Sequence, residues 1–167
     1  MRGSELKVLS CVAVLALAAC SSTPPAASSD ASAKQAAPAS AVAAVVVPPH
    51  LDPNSVLSKN HSVYFDFDKF TIKQEYASVI QQHGTYLASH PQLSIKVEGN
   101  ADERGSREYN LALGQKRAEA AAKALKVYGV KDAQVEAVSW GKEKPVATGH
   151  DEAAWAKNRR DDIVYNK

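Results

Sequence analysis

Regular alternation of apolar and polar side chains marks the strands that this sequence predicts. Four segments fit the period of two that a half-buried strand shows: 63–68, 93–98, 134–140 and 163–165. In the first of them, Val63, Phe65 and Phe67 are expected to face the core. The second segment has the clearest alternation, and the third has a less regular phase. The chain therefore predicts a sheet of four short strands.

Apolar residues recur at helical spacing between the first two predicted strands. They lie on one face of residues 72–87, where His83 is expected to be a core or boundary residue. Thr71 and Gln74 have the spacing of a capping box, and Pro91 marks a stop. The sequence therefore predicts a helix that starts at Thr71 and ends before Pro91.

The longest predicted helix follows the second strand. Ser106 is a suitable N-cap residue, and Gly129 suits the C-terminal end of the helix. Its expected buried stripe consists of Leu111, Ala118, Ala122 and Leu125. A short helix over 151–158 precedes the last strand. The order β-α-β-α-β-(α)-β, over about 110 residues, predicts one α/β domain.

The first twenty residues have the pattern of a secretory signal. Arg2 and Lys7 precede a run of 12 residues, Val8 to Ala19, in which Ser10 is the one polar side chain. As a helix this run would span about 18 Å, well short of the roughly 30 Å hydrocarbon core of a bilayer. A membrane span is therefore not expected, and residues 1–19 are interpreted as a signal peptide.

The end of this run, Leu17-Ala18-Ala19-Cys20, resembles a bacterial lipobox. The resemblance implies that Cys20 is lipidated and becomes the mature N-terminus. Ser21 in the next position implies delivery to the outer membrane, with the protein facing the periplasm. Several acyl chains on one cysteine are enough for stable anchoring. The alternative is an ordinary signal peptide that contains a cysteine.

A segment of low complexity separates the signal peptide from the predicted domain. Ala, Ser and Pro make up 21 of the 30 residues from Ser21 to His50, and almost no charges occur there. Such a composition does not bury enough apolar surface to offset chain entropy. Residues 20–57 are therefore predicted to be the lipidated cysteine with a flexible tether, and residues 58–167 the folded domain.

Composition and motif spacing exclude several classes of function. The formal net charge of the 167 residues is +2, which does not indicate a nucleic-acid partner. Cys11 and Cys20 are the two cysteines, so the domain has no thiol or disulfide chemistry. The five histidines have no metal-ligand spacing, and no further carboxylates follow Asp66 and Asp68 at the spacing of a Ca²⁺ loop. Neither a metal nor a cofactor is predicted.

Charged and polar residues follow the first two predicted strands. Right-handed crossovers would make the first three strands parallel, so Asp68 and Asp102 would reach the same sheet edge. The long helix starts at this edge, and Asn110 and Arg117 are seven residues apart on one of its faces. An acid at 102 and a guanidinium at 117 suit a small zwitterion, whose ammonium and carboxylate they would bind.

Several separated motifs resemble the OmpA-like peptidoglycan-binding domain family. The spacing N-x-x-L-[SG]-x-x-R-A is met by Asn110, Leu113, Gly114, Arg117 and Ala118. The segments 64–69 and 99–105 resemble the first strand and the loop before the long helix. The segments 141–145, 149–152 and 157–160, together with the lipobox, resemble the lipoprotein members of the family. The resemblance covers 58–167 and implies helices packed on a mixed four-stranded sheet.

The family resemblance implies a ligand and a partner. The ligand is the diaminopimelate of the peptidoglycan stem peptide, with its ammonium at Asp102 and its carboxylate at Arg117. Asp68 and Arg104 would line the same cleft, and Asn110 would fix the loop. The family also implies that TolB, with other Tol components, uses this surface in competition with the wall. It further implies a role in envelope integrity and in outer-membrane constriction at division.

Three features leave alternatives open. Asp161 and Asp162 stand where the family usually continues with an apolar residue. A buried Asp161 would need a partner such as an arginine, or it would weaken the last strand. Arg104 could instead form a surface ion pair with Glu103 or Glu108. No metal site, carboxylate pair or Cys/His arrangement supports a wall hydrolase, so an enzyme is not predicted. A protein-interaction module that never contacts the wall remains a further alternative.

Overall fold

The computed structural model describes residues 47–166, and the structural statements below concern this part of the chain. The predicted signal peptide, Cys20 and most of the tether lie outside it. The helices are α1 Val56–Lys59, α2 Ala77–Ser89, α3 Arg107–Val127 and α4 Glu152–Asn158. The strands are β1 Ser62–Tyr64, β2 Ile95–Asn100, β3 Val135–Gly141 and β4 Arg160–Tyr165. Within residues 47–166, no helix has both the length and the apolar character needed to cross a membrane.

The four strands form one mixed sheet in the order β1-β4-β2-β3. The last strand, β4, inserts between β1 and β2 and is antiparallel to both, whereas β2 and β3 are parallel. The first three strands therefore run in the same direction, as predicted, although β1 and β2 are not neighbours. Their carboxyl ends lie at one edge of the sheet. The predicted fold class, an α/β domain with helices packed on a mixed four-stranded sheet, is confirmed.

The core lies between the helices and one face of the sheet. Helix α3 packs along β2 and β3, and α2 packs beside α3. The buried apolar side chains that they share are Val63, Phe65, Ile80, Leu87, Ile95, Val97, Ala118, Ala121, Leu125, Val130 and Ile163. His83 is also fully buried, as expected, with its ring nitrogens bonded to the Tyr165 hydroxyl and the Asn60 carbonyl.

Two glycines let α3 approach β2 closely. A Cβ added to Gly99 would lie 2.7 Å from the carbonyl carbon of Gly114, and nearer still to its oxygen. A Cβ added to Gly114 would in turn lie 2.8 Å from the carbonyl oxygen of Gly99. The lack of side chains at both positions therefore sets the distance between the helix and the sheet.

The start of α2 was predicted wrongly. Thr71 does not cap a helix, because residues 69–73 continue without helical structure to a 3-10 turn over Gln74–Tyr76. The backbone carbonyl of Lys69 accepts a hydrogen bond from Arg117 and is therefore committed to a tertiary contact. The end is as predicted, since α2 stops at Ser89, before Pro91.

Two apolar side chains do not face the core as predicted. Phe67 is 56% exposed, because β1 ends at Tyr64 and the chain turns through Asp68 at a φ of 55°. Leu111 is 47% exposed near the start of α3, although its backbone carbonyl accepts the Ser139 hydroxyl of β3. The predicted N-cap of the longest helix is confirmed, because the Ser106 side chain accepts the Tyr109 N–H at the start of α3.

The folded contacts of the domain begin upstream of residue 58. Leu57 in α1 is buried, and Ser55 caps this helix by accepting the Ser58 N–H at 3.1 Å. His50 bonds to the Tyr86 hydroxyl at 2.8 Å. Residues 50–57 therefore pack on α2 in the described structure.

Candidate functional site

A cleft of about 260 Å³ opens at the sheet edge where β1 and β2 end and α3 begins. It is lined by Phe67, Asp68, Asp102, Arg104, Gly105, Tyr109, Asn110, Leu113 and Arg117. All five predicted site residues, Asp68, Asp102, Arg104, Asn110 and Arg117, are among them. The geometric prediction, that the ends of two strands and one helix bring Asp68, Asp102, Asn110 and Arg117 together, therefore matches the structure. Arg104, which the family resemblance alone placed there, also lines the cleft.

Asp102 forms the acidic side of the cleft and is held by two arginines. Arg104 Nη2 lies 2.7 Å from one carboxylate oxygen, and Arg159 Nη1 lies 3.3 Å from the same oxygen. The other oxygen accepts the backbone N–H of Arg104 at 3.1 Å. Burial alone would raise the pKa of Asp102, but hydrogen bonds from Arg104 and Arg159 outweigh burial and lower it. The carboxylate is therefore charged at neutral pH.

Arg104 covers Asp102 at the mouth of the cleft. Its guanidinium is stacked between the rings of Phe67 and Trp155, with both centroids 4.1 Å away. A Glu152 oxygen lies 3.7 Å from Nη2 as a second acidic neighbour. The predicted alternatives, ion pairs with Glu103 or Glu108, are wrong, because the loop turns Arg104 back over Asp102.

Arg117 forms the basic side of the cleft and is 0% exposed. It donates to three backbone carbonyls, those of Asp66, Lys69 and Asn100, at 2.8–3.2 Å. The ring of Phe65 lies 5.0 Å from the guanidinium carbon. Burial lowers the pKa of Arg117 to about 10, so the side chain still carries its charge at pH 7.

Asn110 and Asp68 complete the polar lining. Asn110 is buried, and its Nδ2 donates to the Arg104 carbonyl at 2.8 Å, so it fixes the loop as expected. Asp68 accepts a hydrogen bond from the Tyr109 hydroxyl. Two acids and two arginines line the cleft, so their formal charges balance.

The described residues give no indication of a metal at this site or elsewhere. Within 47–166, no group of three His, Cys, Asp or Glu side chains could hold a metal ion. The lining of the cleft instead includes the Asp102 carboxylate and the Arg117 guanidinium, together with the Asn110 amide near the start of α3. Such an arrangement can bind a small molecule that carries both charges.

Comparison with known proteins defines the family. The family model described as the OmpA family matches residues 64–159, which include all the residues that line the cleft. The chain belongs to the OmpA family. The family resemblance inferred from the sequence motifs is therefore confirmed.

Among the relatives of this OmpA-family domain are two proteins named peptidoglycan-associated lipoprotein. The protein from Pasteurella multocida is 50% identical over 105 residues, which are 63% of this chain and 70% of the relative. The protein from Haemophilus influenzae is 49% identical over 105 residues, which are 63% of this chain and 69% of the relative.

Solved structures match the same domain. The crystal structure of the peptidoglycan-associated lipoprotein from Burkholderia pseudomallei has a TM-score of 0.68 and 61% identity, over 71% of this chain and all of the solved one. The solved chain is therefore a folded domain that 71% of this chain matches over its whole length. The C-terminal domain of Helicobacter pylori MotB, with a TM-score of 0.58 and 24% identity over 63% of this chain and 82% of the solved one, shows the shared fold alone.

Sequence reasoning missed part of the site of this OmpA-family domain. Arg159 reaches Asp102 because β4 follows it and inserts next to β1, where the Phe65 N–H donates to the Arg159 carbonyl. Tyr109 and Phe67 line the cleft although they carry no charge. The motif around Asn158 and Arg159 was the one sequence signal that could have indicated the contact between Arg159 and Asp102.

Proposed function

We propose that this protein is a non-catalytic outer-membrane lipoprotein that binds peptidoglycan through the diaminopimelate of the stem peptide. Lipid on Cys20 would hold it in the outer membrane, facing the periplasm, and the domain would hold the wall non-covalently. It would thereby link the two layers as part of the Tol–Pal system, in envelope integrity and in outer-membrane constriction at division. The names of the relatives and the membership of the OmpA family support this proposal.

The observation that carries the proposal is that Asp102 and Arg117 both line one small cleft. A diaminopimelate side chain that is not crosslinked ends in an ammonium and a carboxylate on the same carbon. Arg117 has five N–H groups, and three of them donate to backbone carbonyls. The two that remain are the number that a bidentate carboxylate takes.

The ammonium would bind at Asp102 by replacing Arg104. In the structure Arg104 occupies both carboxylate oxygens of Asp102, so the ligand and this side chain compete for one position. Glu152, already 3.7 Å from Nη2, is available as the alternative partner of Arg104. Asp68 would lie beside the bound head, and Asn110 would keep the loop in place.

Protein partners would use the exposed rim of the same cleft. Phe67 and Tyr109 are exposed aromatic side chains at its mouth, the kind of residue that is enriched in protein interfaces. We therefore propose that TolB, with other Tol components, binds here in competition with the wall. Purified TolB is expected to release the domain from isolated peptidoglycan, and release by an unrelated protein of equal charge would contradict a specific contact.

Co-sedimentation with purified diaminopimelate-type sacculi tests the binding site. Wild-type residues 47–167 are expected to pellet with the sacculi, whereas Asp102→Asn and Arg117→Lys stay in solution while folded by circular dichroism. Arg107→Lys is the matched control, because Arg107 is on α3 too but is exposed and pairs with Glu143. If all four proteins pellet equally, the cleft is not the wall site and the interaction-module alternative is favoured.

The proposed anchor is tested separately. Wild-type protein expressed in a Gram-negative host is expected to incorporate labelled palmitate and to fractionate with outer membranes. Cys20→Ser is expected to lose the label, and Cys11→Ser is expected to keep it. Equal labelling of the Cys20 variant would contradict lipidation at this position.

A further inference from the structure

Asp161, the acid that departs from the family pattern, lies in the core of the domain. It is 0% exposed on β4, between Val63 of β1 and Gly99 of β2 in the strand register. Gly99 faces α3 at close range, so all three residues lie on the helix side of the sheet. Neither carboxylate oxygen of Asp161 has a hydrogen-bond partner among the described residues.

Arg117 is the charge that faces Asp161 from another element. Its guanidinium comes from α3, and Nη1 donates at 2.8 Å to the carbonyl of Asn100, the residue after the strand partner of Asp161. From there it gives the main attraction to the Asp161 carboxylate. Arg160 and Asp162 precede and follow Asp161 on β4, so they point to the other face of the sheet. They pair with each other there, Nε to Oδ2 at 2.9 Å. The neighbours of Asp161 on β1 and β2 are uncharged.

Arg117 thus faces two different environments. On one side it lines the cleft, and on the other it is attracted by Asp161, whose two carboxylate oxygens have no hydrogen-bond partner in the described structure. The expected arginine partner of a buried Asp161 is therefore present, but it acts through charge alone. A carboxylate that entered the cleft would be a second anion near the same guanidinium.

We propose that Asp161 and a ligand carboxylate compete for the positive charge of Arg117, so that ligand binding in the cleft is coupled to proton uptake by Asp161. This inference rests on the proposed function, because it takes the diaminopimelate carboxylate as the ligand group at Arg117. Asp161 does not contact the ligand in this scheme. It is a positioning residue that sets how strongly Arg117 attracts an anion.

The direction of the coupling follows from charge and burial. Burial without hydrogen bonds disfavours the ionised form and raises the pKa of Asp161 well above its usual value, although Arg117 partly opposes this. A ligand carboxylate at Arg117 weakens that opposition and so favours the protonated acid further. The proton comes from the solvent, and Arg117 keeps its own. Binding therefore tightens as the pH falls, by at most about tenfold per pH unit where a full proton is taken up.

Isothermal titration calorimetry measures this proton directly. Residues 47–167 are titrated with a soluble diaminopimelate-containing muropeptide between pH 5 and pH 8, in two buffers of different ionisation enthalpy. Wild type is expected to take up a fraction of a proton that approaches one in the middle of the linked range. Asp161→Asn lacks the acid that takes up this proton, so its proton uptake is expected to be lower by the same amount. It is also expected to bind the muropeptide more tightly than wild type at pH 8, with an affinity that depends little on pH.

The matched control is Asp162→Asn, which removes the same charge one residue away on the other face of the sheet. It keeps Asp161 and Arg117 and is therefore expected to keep the proton uptake of wild type, with the linked range moved to lower pH because the charge of Asp162 no longer raises the pKa of Asp161. Equal proton uptake in wild type and Asp161→Asn overturns the proposal. Wild-type binding without any proton uptake overturns it too, and this second outcome is measured on wild type alone, so it does not depend on whether the variants fold. Failure of folded wild type to bind at any pH would instead overturn the proposed function itself.

Discussion

Replacing Gly99 by alanine tests whether close contact between α3 and β2 holds the domain together. The added Cβ would lie 2.7 Å from the carbonyl carbon of Gly114, which is 0.7 Å short of ordinary van der Waals contact at 3.4 Å. It would also lie 3.2 Å from the Ala118 Cβ. The main obstacle is helix backbone, which has no rotamer to change, so α3 must move away from the sheet.

The expected magnitude follows from two opposing effects. Overpacking a core costs about 1–3 kcal/mol, and a backbone obstacle places Gly99→Ala in the upper part of that range. The lower entropy of the unfolded chain with alanine offsets about 0.4–1 kcal/mol. The net loss in free energy of unfolding is expected to be about 2 kcal/mol, which lowers Tm by roughly 8 °C for a domain of this size.

Urea unfolding followed by circular dichroism measures this loss. Gly149→Ala is the control, because Gly149 has an ordinary φ, and its Cβ would meet the Ala154 Cβ at 3.1 Å in an exposed loop. That variant is expected to stay within about 0.5 kcal/mol of wild type. If Gly99→Ala is as stable as the control, the glycine pair does not set the helix position.

Three further variants test individual side chains. Asp161→Asn is expected to be more stable than wild type at pH 8 and equal near pH 4, because a raised pKa in the folded state makes wild-type stability fall as the pH rises. Burial lowers the pKa of His83 in the folded state, so the unfolded chain binds this proton more tightly and wild type loses stability as the pH falls from 7 to 5. His83→Gln is expected to lack this loss. The Asn158 side chain accepts the N–H groups of Val146 and Ala147 and donates to the Ala147 carbonyl. Asn158→Ala is therefore expected to lower the free energy of unfolding by about 2–3 kcal/mol and to expose the 142–150 loop to protease.

Each of these expectations has a clear contrary result, measured by urea unfolding at the stated pH. A stability difference for Asp161→Asn that is the same at pH 4 and pH 8 would show that burial of its charge is not the cause. If His83→Gln loses as much stability between pH 7 and pH 5 as wild type does, His83 is not the cause of that loss. For Asn158→Ala, wild-type stability together with wild-type protease resistance would mean that the loop is held by other contacts.

Sequence patterns predicted the elements whose signals are local. The Ser106 cap, the Pro91 stop and the short helix predicted over 151–158 depend on residues within one or two turns. Phe67 and Thr71 were misjudged, because alternation and capping motifs do not show where a strand stops pairing. The chain leaves β1 after Tyr64, and a long-range contact from Arg117 to the Lys69 carbonyl holds the segment that follows.

The candidate site was predictable wherever topology alone brings residues together. Asp102 and Arg117 follow from two strands that end at one edge and a helix that begins there. Topology alone did not predict the pairing of Asp102 with Arg159, because it depends on β4 inserting between β1 and β2, and only the motif at 157–160 pointed to this segment. The burial of Asp161 beneath Arg117 depends on the same insertion, which has no signal in the local sequence.

Binding of chemically modified muropeptides tests the central claim most directly. The soluble domain is titrated with a muropeptide that has a free diaminopimelate head, with its N-acetylated form and with its carboxyl-amidated form. Recognition of the ammonium by Asp102 and of the carboxylate by Arg117 predicts that either modification weakens binding at least about tenfold, the loss of one charge-assisted contact. Equal affinity for all three ligands would contradict zwitterion recognition in this cleft.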